Sequence, residues 1–216
     1  MKTVSYVLAI GVLLLGGCRP SQKSSYRVGY DFSSVNKVGI VAVQGSLKSE
    51  TARDQIAEFF AIELLEQGYA PVGRPQVRAS LADLASESEG ESQTELRNLT
   101  SNEAAVEVGR MLKLPAVLTI NIPHFGEEIT ITATMIDVED GSILWLANGS
   151  GKGKRGMFGF GRDSQLSGED GLLGGLMAGG MEDAGEQPLS PQEADRAQHI
   201  VKSMCRSLPT KLVPEF

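Results

Sequence analysis

Apolar residues recur along this chain with two different periods, and stretches with neither period separate them. "KVGIVAV" (Lys37–Val43) is a continuous β-branched run and predicts a buried strand. From about Glu50 to Gln67 the apolar positions Ala52, Ile56, Phe59, Phe60 and Leu64 fall on one helical face. Ser46 or Ser49 is placed to cap that helix, and Gly68 to end it in a left-handed conformation. "YAPV" (Tyr69–Val72) predicts a short strand. Pro75 then opens a second helix as a first-turn proline, with Val77, Leu81, Leu84 and Ala85 on its apolar side. Ser86–Gln93 is built from Ser, Glu and Gly and predicts a solvated loop. A third helix, capped by Thr100 or Ser101, runs to about Leu114, with Ala104, Val108, Met111 and Leu112 at helical spacing; Pro115 breaks it.

Strand period follows. "AVLTINI" (Ala116–Ile122) predicts one strand. In "EITITATMIDV" (Glu128–Val138) Ile129, Ile131, Ala133 and Met135 alternate with Thr130, Thr132 and Thr134. Asp140-Gly141 signals a hairpin turn, and "SILWLAN" returns as the last strand. Residues 149–188 are dense in glycine and poor in β-branched residues, which predicts a flexible insertion. Ser190-Pro191-Gln192-Glu193 fits a capping box with proline at the first helical position. The helix behind it turns Ala194, Ala197, Ile200, Val201, Met204 and Cys205 inward. The expected fold class is α/β: a small mixed sheet with helices packed on it, in the order β-α-β-α-α-β-β-β-α. The expected divisions are a leader over 1–17, a polar tether over 18–34, an α/β domain over 35–148, the glycine-rich insertion over 149–188, a completing helix over 189–208 and a tail over 209–216.

The first residues read as a targeting signal. Lys2 precedes an almost wholly apolar run, Val4–Leu15, which is too short for a comfortable membrane span of about 20 residues. Gly16 and Gly17 are the small residues a signal peptidase needs, so cleavage is expected between Gly17 and Cys18. Composition adds that the protein is acidic, with 20 Lys and Arg against 27 Asp and Glu. Loss of the leader, which carries Lys2 and no acid, makes the mature chain more acidic still. That balance argues against nucleic acid, whose binding needs a clustered basic face.

Candidate chemistry is sparse. The two histidines are His124, expected in a turn between strands, and His199, expected on the polar side of the last helix. Glu127 and Glu128 are adjacent and point to opposite faces of a strand, so they do not form a carboxylate pair. Neither metal-ligand spacing nor a catalytic set is present, and no enzyme activity and no cofactor are expected. "NGSGKGKRG" fails the phosphate-loop pattern, because Gly153 and Arg155 stand where the hydroxyl is needed. The basic residues Lys152, Lys154, Arg155 and Arg162 remain candidates to touch anionic headgroups. The apolar pieces holding Phe158 and Phe160, and Leu172 to Met177, remain candidates to dock on a partner or the membrane.

Two resemblances add to this reading. Leu15-Gly16-Gly17-Cys18 resembles the lipobox of bacterial lipoproteins, which implies diacylglyceryl attachment at the Cys18 sulfur, cleavage before it, and acylation of the new amino group. Arg19, where an aspartate would favour the inner membrane, implies the outer one. Secondly, "KVGIVAV", "YAPVGRPQVRASLADL" with Arg74, "EAAVEVGRMLKLPAVLTINI" and "ITATMIDVEDGSILW" with Asp137 and Gly141 resemble, in that order, the curli secretion-component (CsgG-type) lipoproteins. They also resemble the penicillin-binding-protein activator lipoproteins. The resemblance runs from about Lys37 to Leu146. It implies a compact periplasmic domain, non-enzymatic, that binds envelope protein partners in assembly or secretion. Its alternative implication is an oligomeric curli-type secretion channel, in which the chain is a homo-oligomer.

Overall fold

Lys37–Gly45 (β2) carries apolar side chains on both faces, from Val38 through Val43, so the sheet it belongs to must be covered on both sides here. The computed structural model describes residues 22–87, 101–153 and 187–211. In it, β2 lies within a six-stranded mixed sheet. The other strands are Gln22–Tyr26 (β1), Ala70–Val72 (β3), Ala116–His124 (β4), Glu128–Asp137 (β5) and Ile143–Lys152 (β6). Their order is β1-β6-β5-β4-β2-β3; β2 runs parallel to β3 and β4, and the remaining pairs are antiparallel.

Four helices cover this sheet unequally. Glu50–Glu66 (α1) and Pro191–Cys205 (α4) pack on one face, against Ile129, Ile131, Ala133 and Met135 of β5 and Trp145 of β6. Arg74–Glu87 (α2) and Asn102–Met111 (α3) pack on the other, over Val41, Ala42, Val72, Val117, Ile136 and Val138. The local signals act as expected. Ser49 and Ser101 cap α1 and α3, Gly68 takes a φ of +87° behind α1, and Gly141 takes +72° in the hairpin between β5 and β6. The box of Ser190 and Glu193 closes the start of α4.

Three expectations need correction. The polar tether over 18–34 is ordered from Gln22 onward, because Gln22–Tyr26 pairs residue for residue with Gly149–Trp145 of β6. Phe32, in a short 3₁₀ turn, then enters the core. The expected element order therefore lacked a first strand. The insertion does not begin at 149 either: β6 continues to Lys152, since Gly149 and Gly151 face Ile200 and Met204 of α4, where no side chain fits. The inward face of α3 is Ala105, Val108 and Gly109, while Met111 is exposed. The sequence pattern hid this face because its closest contact is made by a glycine.

The tail is docked at its start. The Tyr69 hydroxyl donates to the Pro209 carbonyl at 2.7 Å, and burial pushes its pKa up to about 12. Cys205 is a buried thiol that burial likewise pushes up, as a packing residue should be.

The close approach at Gly109 is testable. A Cβ there meets Val138 Cγ2 at 2.5 Å and Val117 Cγ1 at 2.7 Å, both on stiff β-branched side chains. Overpacking costs about 1–3 kcal/mol, against about 1 kcal/mol gained by replacing a helical glycine. Gly109→Ala is expected to lower the melting temperature, read by circular dichroism, despite its better helix propensity.

Candidate functional site

Unequal coverage leaves one large surface bare. On the side of the sheet away from α1 and α4, α2 and α3 cover β3, β2, the start of β4 and the end of β5. Beyond them the side chains form rows across the strands. One row is Gln44, Asn121, Thr132, Asn148 and Lys23, taken from β2, β4, β5, β6 and β1 in turn. The next is Thr119, Thr134, Leu146 and Ser25, and a third is His124, Thr130 and Ser150. Strand alternation produces this: the same period that sends Ile129, Ile131 and Ala133 into the core sends Thr130, Thr132 and Thr134 out. These three rows hold no acid; the next, at the margin of the face, pairs Glu128 with Lys152.

The face is organised as well as bare. Asn148 Nδ2 donates to Thr132 Oγ1 at 2.9 Å, fixing the amide across the β5–β6 pair. Where the first two rows meet α3, Gln44, Thr119, Asn121, Thr132 and Thr134 floor a hollow of about 230 Å³, rimmed by Ser101 and Asn102. Hydroxyls and amides in a shallow hollow can give and accept hydrogen bonds at once, and they suit a polar surface rather than a charged ligand. A wider cleft of about 1100 Å³ opens at the end of the sheet, between the β4–β5 turn and the first turn of α4. There Glu127, Glu128, Glu193 and Asp195 are mixed with Lys152 and Arg196.

The sequence-predicted site residues fall apart in space. Lys152 is exposed at the last position of β6. Gly17, Cys18, Lys154, Arg155, Phe158, Phe160 and Arg162 lie outside the described residues. His124 closes β4 and His199 sits on the outer side of α4, both exposed. Among the described residues no group of three or more His, Cys, Asp or Glu is placed to hold a metal. No described helix is long and apolar enough to cross a membrane.

The two motif residues singled out, Arg74 and Asp137, are structural. Asp137 is buried at the end of β5; it accepts from the Tyr30 hydroxyl at 2.7 Å and from the Glu139 amide at 2.7 Å. Burial, together with that carboxylate partner, raises the Tyr30 pKa. Arg74 opens α2 buried, with Glu50 at 2.7 Å and Asp54 at 2.6 Å; Arg78, one turn on, reaches the same two acids. Burial alone would raise the Glu50 pKa. The hydrogen bond from Arg74 and the charges of Arg74, Arg53 and Arg78 overcome it and hold the carboxyl below its ordinary value.

Neither a family model nor a curated protein matches the chain in sequence. Its fold is that of PelC from Paraburkholderia phytofirmans, a dodecamer: the TM-score is 0.50 at 12% identity, covering 89% of this chain and 99% of PelC. More distant likenesses are to lipoprotein GNA1162 from Neisseria meningitidis and to the C-terminal domain of LpoB from Salmonella enterica. The first has a TM-score of 0.41 at 15% identity, over 55% of this chain and 81% of the other. The second has 0.39 at 15%, over 55% and 84%. Neither of these two is near enough to carry weight.

The Arg74 cluster has a pH signature. Arg74→Met strands two carboxylates, at a cost between the about 1 kcal/mol of an exposed pair and the about 3 kcal/mol of a buried one. A carboxyl held low contributes stability above its unfolded pKa and loses it as the pH falls through its folded pKa. Denaturant melts should therefore show the variant weaker at neutral pH, with the gap to the unmodified protein narrowing once the pH drops below the ordinary glutamate range.

Proposed function

We propose that this protein is a lipoprotein of the outer membrane, acylated at Cys18, whose periplasmic domain binds envelope protein partners and carries out no catalysis. The bare polar sheet face is the observation that supports it most. Protein interfaces are depleted of charge at their centre, and the three central rows of this face carry no carboxylate; Glu128, in register with Lys152, stands at its margin. Hydroxyl and amide side chains already ordered on a rigid sheet lose little entropy on binding. The leader ending in Leu15-Gly16-Gly17-Cys18 supports the anchor, and Arg19 supports the outer membrane. The apolar pieces around Phe158 and Phe160, with Lys154 and Arg155, belong to the same reading as further partner or membrane contacts.

A second reading has one observation in its favour: PelC, which shares the fold, is a dodecamer. This chain would then assemble into rings through the same face and serve secretion. The pore form of that reading finds less support. β5 has the length of a membrane strand, but it is hydrogen-bonded on both sides within the domain's own sheet.

Two measurements decide between these readings. Cys18→Ser should leave the leader uncleaved, visible as a larger mass, and shift the protein out of the outer-membrane fraction on a density gradient. A photo-crosslinking residue at Thr132, on the bare face, should capture a different protein. The same residue at Ile62, exposed on α1 across the sheet, should not. Adducts of the chain with itself at position 132 would favour the ring, and equal capture at both positions would remove the face from consideration.

A further inference from the structure

β1 brings the anchor close to the fold. Only three residues lie between Cys18 and Gln22, where β1 begins, so four residue steps join them. An extended chain covers at most about 3.6 Å per residue, so Cys18 lies within about 14 Å of the strand. We infer that the β1 edge of the sheet rests on the membrane that holds the anchor, against its anionic phospholipid headgroups. This rests on the acylation of Cys18 proposed above.

Three observations converge on that edge. The first is charge: from Cys18 to Tyr30 the sequence contains Arg19, Lys23 and Arg27 and no acid, in a chain of net charge −7. Lys23 is exposed, and Arg27 is half-exposed where it shares Asp140 at 3.1 Å. Basic residues beside an anchor are drawn to an anionic leaflet within a Debye length. The second is apolar exposure. Of seven large hydrophobic residues exposed among the described ones, four lie here: Tyr26, Val28, Ile143 and Leu146, with Val28 at 89%. A tyrosine and aliphatic groups interleaved with basic residues match the headgroup region, where one end of the side chain is wet and the other is not. The third is the backbone. β1 is the last strand of the sheet, and no described strand pairs with its outer side. Such an edge invites pairing with another chain unless something covers it. Water and headgroups can both satisfy its polar groups.

The opposite edge supplies the control. β1 and β3 are five strand spacings apart, about 24 Å across the sheet. The lipidated full-length protein is placed in vesicles of phosphatidylethanolamine and phosphatidylglycerol. A single environment-sensitive fluorophore is attached at Ser25→Cys or at Ala70→Cys. Cys205, 1% exposed, does not compete for label, and the Cys18 sulfur is blocked by its lipid. A quencher carried in the lipid headgroup region is expected to quench the label at position 25 several-fold more than the label at position 70. Adding Lys23→Glu and Arg27→Glu, with folding checked by circular dichroism, should reduce that contrast.

Equal quenching at the two positions, or stronger quenching at position 70, overturns the inference. So does efficient disulfide crosslinking between Ser25→Cys copies without quenching, which would make the edge an interface with a second copy. The mass of the Cys18 peptide from the same sample separates the two claims. An unacylated cysteine removes the anchor and this orientation together. An acylated cysteine with uniform quenching removes the orientation alone.

Discussion

Everything in this domain depends on the different burial demands of its strands. β2 is apolar on both faces and must be enclosed, so helices gather over it from both sides. Beyond Ile136, β5 turns threonines to its other face, and β6 adds Asn148 and Ser150 beside Leu146, so a helix there would bury mostly polar side chains without return. The sheet is consequently enclosed at one end and bare at the other. α4, the last element of the chain, closes the apolar side by packing on β6 at Gly149 and Gly151, where the strand has no side chains to obstruct it. The bare polar rows are the unavoidable reverse of that packing. The surface available for function is set by the same alternation that makes the core.

The sequence revealed those elements whose side chains carry periodic burial. β5 is the clearest case: its four inward residues and three outward threonines are readable by eye, and all four inward residues are fully buried. β1 shows the opposite. "QKSSY" has neither apolar alternation nor β-branched content. It is a strand because its backbone completes the edge of β6, while Gln22 exchanges hydrogen bonds with Ser203 of α4 and Tyr26 stacks edge-on with Phe32. Backbone pairing leaves no compositional trace, so a polar segment beside a lipobox-like stretch reads as a tether. The C-terminal half of β6 was lost for a related reason: glycines that admit a helix look like glycines in a loop.

The candidate site was only partly legible. The outward threonines of β5 were visible, but the rows across five strands required the register, which no single strand contains. The Arg74 cluster was equally hidden. Glu50 and Asp54 lie one turn apart on α1, and Arg74 and Arg78 one turn apart on α2; only the packing of the two helices brings the four charges together. Arg74 joins two helices that lie on opposite faces of the sheet. That is a structural role: both acids are paired with arginine.

The bare face and the β1 edge are at right angles, and this gives the proposed anchor a mechanical consequence. With the β1 edge toward the membrane, the strands lie nearly along its surface and the polar rows rise away from it, from Lys23 at the membrane to Gln44 at the far side. A partner meeting that face would approach parallel to the membrane, as a neighbouring membrane-bound protein does. A short link between lipid and strand restricts the domain to a thin layer, which raises the effective concentration of partners held in the same layer. The missing tether is then an advantage for weak, flat contacts: a face mostly of hydroxyls and amides, modest in affinity on free proteins, becomes useful when diffusion is confined to two dimensions and orientation is fixed by the edge strand.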